Sequence, residues 1–247
     1  MMFKKYVKGN HDYTSYEALK DNFSIEIPEN FNFAYDVVDE YAKTEPHRTA
    51  LVWCDDNNEE KIFSFLDLKI ASDKTANFLL SQGIKKGDAA MLILRRRYEF
   101  WFFLLAPHKI GAIAVPATNL LLKSDIEYRT NAAEIKMIVA LEDKDLQNQI
   151  DLAMPHSPSV KTLVTTGHRE GWVSFADAYA ELSQDFQRPQ GAEATFNEDI
   201  MLLYFTSGTS GYPKMVQHNF AYPLGHIVTA KYWQKVVDGG LHLTLAE

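Results

Sequence analysis

A single cysteine, Cys54, stands among 247 residues. No intramolecular disulfide can form, and no thiolate cluster is available to hold zinc. Also missing is any run of the roughly 18 apolar residues that a membrane-crossing helix needs, so no membrane span is expected. Basic residues are in deficit: 25 Lys and Arg face 33 Asp and Glu, a formal net charge of -8. That balance argues against nucleic acid as a partner and against a polybasic membrane patch, so an anion has to be held by a local constellation. The first residues, Met-Met-Phe-Lys-Lys-Tyr-Val-Lys, lack the apolar core of a secretory signal. The expected compartment is therefore the reducing cytoplasm. Eight histidines are scattered along the chain, and His218 with His226 lacks the i, i+4 spacing of a helical metal pair. No protein-ligated metal site is assigned.

What the chain does have is apolar residues at 46% and aromatics at 13%, enough for one large core or two small ones. Residues 1–30 are mixed in character and read as an N-terminal extension with a helical stretch around Tyr13 to Phe23. Phe33, Val37, Val38 and Tyr41 fall at helical spacing before Pro46, which predicts an amphipathic helix over 31–43. A hairpin follows, with strands over 50–54 and 61–65 around the turn Asp55-Asp-Asn-Asn-Glu59. Ser64 and Asp67 have capping-box spacing for a helix through Leu80, with Gly83 beyond its end.

From there the pattern is regular. Strands are expected at 89–94, 112–115, 137–141 and 160–165, and helices at 98–110 and 144–153, with a further helix capped by Ser124 and Glu127. Ser174 and Asp177 cap a helix over 175–182. The unbroken apolar run Trp101 to Leu105 reads as a buried helix rather than a binding site. Alternation of this kind implies an α/β fold, a mostly parallel sheet flanked by helices on both faces. The polar stretch 184–198 interrupts the rhythm before a strand over 200–205, which reads as buried because apolar and aromatic residues fill both of its faces.

That strand runs into Thr206-Ser-Gly-Thr-Ser-Gly-Tyr-Pro-Lys214. Gly208 and Gly211 let the backbone turn sharply and aim successive N–H groups at one anion. Thr206, Ser207, Thr209 and Ser210 add hydroxyl donors, and Lys214 a positive charge. Such a set suits a polyphosphate. Ligands in open sheets of this kind lie beyond the carboxyl ends of the strands, where this loop falls. A Walker loop is excluded, because Pro213 stands five positions after Gly208 and Met215 follows the lysine. A nucleophile elbow is excluded because Tyr212 takes the place of its last glycine. By composition alone the turn could equally be a flexible linker, and Lys214 a solvated lysine. Arg95-Arg-Arg97 reads as a solvated face or a set of salt bridges before it reads as an anion site, and His218 as a structural hydrogen-bonding residue.

The stretch from Tyr204 to Lys214 closely resembles the signature [YF]-T-S-G-[ST]-[ST]-G-x-P-K of the adenylate-forming superfamily, and nine positions match it in order. Arg97-Tyr-Glu-Phe-Trp101, the run from His108 to Thr118 and the run from Lys123 to Arg129 are similar to the medium-chain acyl-CoA synthetase branch. The resemblance covers about residue 31 to the end. It implies the large N-terminal domain of the acyl-adenylate-forming fold, truncated: a first α/β subdomain at 31–218 carrying the phosphate loop 206–214, and at 219–247 the start of an incomplete second one. It further implies a carboxylic acid, ATP, Mg²⁺ and CoA as the reacting set, with an acyl-adenylate between the two steps. Thr206, Ser207, Gly208, Thr209, Ser210, Gly211 and Lys214 would grip the phosphates, with Lys214 in the catalytic role. Family members run to more than twice this length, so an N-terminal fragment, inactive alone, is expected, with a homodimer through the exposed face 220–233. A non-catalytic nucleotide- or acyl-binding module and an amidase-type hydrolase are the alternatives. The second of these needs a second serine and an upstream lysine, a pair that does not stand out.

Overall fold

The computed structural model describes residues 2–9, 12–206 and 211–243. In chain order, β1 (Val7–Lys8), α1 (Tyr16–Asn22) and β2 (Ser24–Ile25) come first, with β1 and β2 paired antiparallel. Ser15 caps α1 by accepting from the Ala18 N–H. The N-terminal segment is anchored through Tyr6, which forms a buried cluster with Phe31 and Leu224, and through Met2 and Ile25 packed against it. The amphipathic helix expected over 31–43 is present but winds differently, as a π-helical segment Ala34–Asp39 running into α2 (Glu40–Thr44). Strands β3 (Thr49–Cys54) and β4 (Glu60–Ser64) form the expected antiparallel hairpin.

Helix α3 (Phe65–Ser81) opens on the capping box read from the sequence, with Ser64 and Asp67 each accepting from the other's backbone N–H. After it come β5 (Ala89–Ile93), α4 (Glu99–Ile110), β6 (Ile113–Pro116), α5 (Lys123–Ala132), β7 (Met137–Ala140), α6 (Lys144–Ala153), β8 (Thr162–Thr165), β9 (Val173–Ser174) and α7 (Phe175–Glu181). The start of α5 corrects the sequence reading. Asp125, not Glu127, reaches back, its carboxylate accepting from the Leu122 N–H at 3.1 Å, and Ser124 lies inside the first turn. Glu127 instead pairs with Lys123 one turn away. The chain ends its described course with β10 (Ile200–Thr206), β11 (Lys214–Asn219), α8 (Tyr222–Val228) and a π-helical segment Thr229–Trp233.

Seven strands form one sheet in the order β11-β10-β6-β5-β7-β8-β9. Every pairing is parallel except β10 with β11. Strand β5 at its centre is buried along its whole length, and its residues divide between two cores. Ala90 and Leu92 join the core built with α3 and α4, which also holds Phe78, Phe103 and Ile110. Ala89, Met91 and Ile93 join the opposite core, with Ile126 of α5 and Leu146 and Ile150 of α6. That division is what a continuous apolar strand requires, since alternate side chains point to opposite faces and both must leave water. Within the α4 run, Phe102, Phe103 and Leu105 are buried while Trp101 is 41% exposed, the pattern of a helix with one edge toward solvent.

The irregular stretch 184–198 has a packing role. Arg188 pairs with Asp36 at 2.6 Å and donates to the Asn30 carbonyl, and Asn197 bonds both the Phe31 N–H and the Pro28 carbonyl. It returns across the chain to tie residues 28–36 to the sheet.

Candidate functional site

The register places the site. Leu202, Ala114, Ala90, Met137 and Thr162 lie in one row across β10, β6, β5, β7 and β8. Beyond that row, all five strands release their following loops at the same edge of the sheet. Strand β10 extends furthest. Thr206 is four residues past the row, about 13 Å at the rise of a strand, whereas β6 ends at Pro116. The hairpin tip therefore projects beyond its neighbour. This corrects the expectation of a strand buried throughout: Met201 and Leu202 are buried, Leu203 and Phe205 are half-buried, and Tyr204 and Thr206 are exposed. Apolar composition marked the strand but not the point where its neighbour ends.

Strand β11 answers β10 residue by residue, with Tyr204 opposite Val216 and Thr206 opposite Lys214. Thr206 and Lys214 thus form a cross-strand pair at the base of the turn. The Thr206 hydroxyl lies 3.4 Å from the Lys214 carbonyl oxygen, and both residues are exposed. Among the described residues the Lys214 ammonium makes no hydrogen bond or ion pair. Gly211 adopts a φ of 122°, a conformation that disfavours a Cβ. Ser207, Gly208, Thr209 and Ser210 lie outside the described residues.

The returning limb is held from the opposite core by α5. The Tyr128 hydroxyl donates to the Pro213 carbonyl at 2.8 Å. Its ring stacks on Tyr212 at 4.6 Å with 19° between planes, and meets Phe205 edge-on at 6.0 Å. Next to it, the Arg129 guanidinium lies 5.2 Å from the Phe205 ring centre, and burial there pulls its pKa below the ordinary arginine value. The sequence reading quoted Tyr128 in a matching segment but gave it no role. Its partner lies 85 positions away, and no local spacing signals such a contact.

Other candidate residues resolve into packing. His218 packs on Tyr222 with ring centres 3.8 Å apart and 30° between planes and meets Tyr204 edge-on; among the described residues it makes these ring contacts in place of the hydrogen bonding expected of it. Burial raises the Tyr204 phenol, helped by the neighbouring Tyr222. Arg97 is committed to Glu99 at 2.6 and 3.0 Å and lies over the rings of Trp53 and Tyr98, as the salt-bridge reading has it. Arg95 and Arg96 are exposed on the turn after β5, at the same sheet edge as the hairpin tip. A cavity of about 1010 Å³ lies elsewhere, lined by Phe3, Phe31, Tyr41, Phe65, Leu224 and Val237 among others, and no residue of β10 or β11 borders it. Among the described residues no group of three His, Cys, Asp or Glu side chains comes together to hold a metal. No described helix is long and apolar enough to cross a membrane.

Residues 38–243 match the family model described as AMP-binding enzyme. The chain belongs to that family. It is 36% identical over 230 residues to mouse mitochondrial acyl-coenzyme A synthetase ACSM4, covering 90% of this chain and 39% of that relative. Human mitochondrial acyl-coenzyme A synthetase ACSM3 is 33% identical over 231 residues, 90% of this chain and 38% of the relative. Among solved structures, an anthranilate CoA ligase, AuaEII, in complex with anthranoyl-AMP superposes with a TM-score of 0.72 at 23% identity. It covers 85% of this chain and 38% of its own. An acyl-CoA synthetase from Brucella canis gives 0.70 at 23% identity, covering 81% and 35%. These superpositions bear out the α/β fold with its mostly parallel sheet. The chain spans about two-fifths of the length of the curated relatives it matches.

Proposed function

We propose that the β10–β11 turn is the polyphosphate grip of an AMP-forming acid–thiol ligase, to which this chain contributes the N-terminal part. In that reaction a carboxylate oxygen attacks the α-phosphorus of ATP and pyrophosphate leaves. The thiol of CoA then attacks the acyl carbon and AMP leaves. The observation that carries the reading is the Thr206–Lys214 pair at the carboxyl edge of the sheet, a hydroxyl opposite an ammonium at the mouth of a Ser-Gly-Thr-Ser-Gly turn. Carboxylate and triphosphate repel each other, so the pair must be held in line and their charge offset before either bond changes. Lys214 offsets phosphate charge. Thr206, Ser207, Thr209 and Ser210 donate hydroxyls, and Gly208 and Gly211 allow the backbone N–H groups to approach. Mg²⁺ supplies further charge neutralisation when it is bound.

The same reading assigns residues 1–30 as an N-terminal extension, 31–218 as the first α/β subdomain and 219–247 as the start of a second. It keeps a reducing compartment, with the cytoplasm proposed, which the lone cysteine fits. Phe220 and Leu224 are buried, so a homodimer would use instead the exposed Trp233, Val237 and Leu241. Light scattering across a concentration series would show it, and a monomer throughout would count against it.

Titration calorimetry with ATP or inorganic tripolyphosphate tests the grip. Lys214→Ala should weaken binding roughly ten- to a hundredfold, the worth of a hydrogen bond from a charged group at about 1.5–3 kcal/mol. Unchanged affinity would remove Lys214 from the site. The 247 residues alone should give no acid-dependent ATP–pyrophosphate exchange, because two-fifths of the relatives' length leaves few transition-state contacts.

A further inference from the structure

We propose that Tyr128 is a positioning residue of the phosphate grip, a clamp on α5 that fixes the returning limb of the turn so that Lys214 leaves β11 at a set height above the sheet edge. The inference rests on the phosphate reading of that turn.

Three contacts made by one side chain carry it. The phenol donates to Pro213, the residue before Lys214. The ring stacks on Tyr212, which remains 75% exposed with that contact made. The ring edge meets Phe205, the residue before Thr206. One side chain therefore touches both limbs of the hairpin, within two positions of the Thr206–Lys214 pair on each.

The clamp has a firm base. Ile126, two residues before Tyr128 on α5, is fully buried in the core shared with α6. The Lys123 N–H donates to Gln149 at 2.9 Å, and the Thr130 and Ser157 hydroxyls meet at 2.7 Å. Arg129 adds a second hold on Phe205. Strand β6 ends at Pro116, so past that point β10 has only β11 beside it in the sheet. Held this way, the returning limb spends less ordering entropy when an anion binds.

The test has two readouts on the full chain. Hydrogen–deuterium exchange of the unliganded protein should show Gly211, Tyr212 and Lys214 exchanging about tenfold faster in Tyr128→Ala, with Leu202 and Leu203 of the same hairpin unchanged. Titration with inorganic tripolyphosphate should show Tyr128→Phe, which keeps the ring and loses only the hydroxyl, binding about fivefold more weakly, the net worth of one neutral hydrogen bond. Tyr128→Ala should bind more weakly again, and Lys214→Ala should lose affinity with no change in exchange at Gly211 and Tyr212. Equal affinity for wild type and Tyr128→Ala overturns the clamp and leaves the phosphate reading standing, as does exchange at 211–214 that Tyr128→Ala does not alter. A wild-type chain that binds no tripolyphosphate overturns both.

Discussion

Lys109 on α4 joins three helical segments through one buried charge. Its ammonium is completely buried, donating to both Asp39 oxygens at 2.8 and 3.0 Å and to Asp73 at 2.5 Å. Asp73 is equally buried and receives a second cation, Lys69, at 2.5 Å. The four groups are neutral together, and they tie α4 to α3 and to the π-helical segment Ala34–Asp39. Lys109→Met removes the charge at similar side-chain volume and leaves the buried Asp73 with Lys69 alone and the partly buried Asp39 without a bonded cation. Breaking a buried ion pair from one side costs about 3–5 kcal/mol, most of it the penalty of the stranded charge. In a chain of this size each kcal/mol lowers the melting temperature by about 2–4 °C, so a fall of roughly 6–20 °C is expected. The pH dependence fixes the cause. Burial already pushes the Asp39 carboxyl up, against the pull of Lys109. Without the lysine, the Asp39 carboxyl rises further above its unfolded value. The penalty is then full above the folded pKa and disappears as pH falls below the unfolded value of about 3.9. Urea denaturation of wild type and variant should therefore converge as pH is lowered from 7 toward 4. The double variant Lys109→Met with Asp73→Leu should recover part of the loss, since it removes the fully buried carboxylate and leaves only the partly exposed Asp39 without its bonded cation. A single-variant loss below about 1 kcal/mol, or a gap that does not narrow in acid, would refute the buried cluster; the expected loss is that quoted above.

His108, next to it, is buried with neither ring nitrogen bonded among the described residues, and burial pushes its imidazole down from the ordinary 6.5 to about 3. The unfolded chain then binds a proton that the folded chain refuses. Stability should fall by up to about 1.4 kcal/mol per pH unit between 6.5 and 3, a slope that His108→Leu should remove in denaturation curves at pH 7, 6 and 5. Gly111 closes α4 at a φ of 74°, and a Cβ there would sit 2.9 Å from Cγ of Lys86, whose ammonium is held by Asp199 and the Ala194 carbonyl. Gly111→Ala should cost about 1–3 kcal/mol in chemical denaturation, and a wild-type midpoint would show that the turn can relax.

Legibility from the sequence followed the range of the forces involved. The Ser64–Asp67 box and the division of β5 between two cores are local consequences of side-chain chemistry, so capping spacing and a continuous apolar run revealed them. Strand β11 gave no such signal. Lys214-Met-Val-Gln-His-Asn219 is exposed along nearly its whole length at the sheet edge, and it is a strand because β10 pairs with it. Strands β1 and β2, two residues each, exist on the same terms. The capping error at α5 has a related origin. Ser124 and Glu127 have the right spacing, but so do Leu122 and Asp125, and a leucine at that position hides the cap because only Asp125 can supply the bond.

The candidate site shows where local chemistry stops being informative. The anion-binding residues are legible because glycine, hydroxyl and ammonium groups must be close in sequence to form one turn. What sets the turn's position is not close in sequence. Strand β10 outruns β6, so the sheet that aims the hairpin ceases to support it near Tyr204. Support then has to come from a side chain long enough to reach past the sheet edge and flat enough to stack. Tyr128 meets both needs from a helix in the other core. A shorter residue at 128 would leave Pro213 unbonded, and an aliphatic one would leave Tyr212 without its partner face. The placement of Lys214 is thus a property of two cores acting on one hairpin: one buries Met201 and Leu202 at its root, and the other holds Phe205, Tyr212 and Pro213 at its tip.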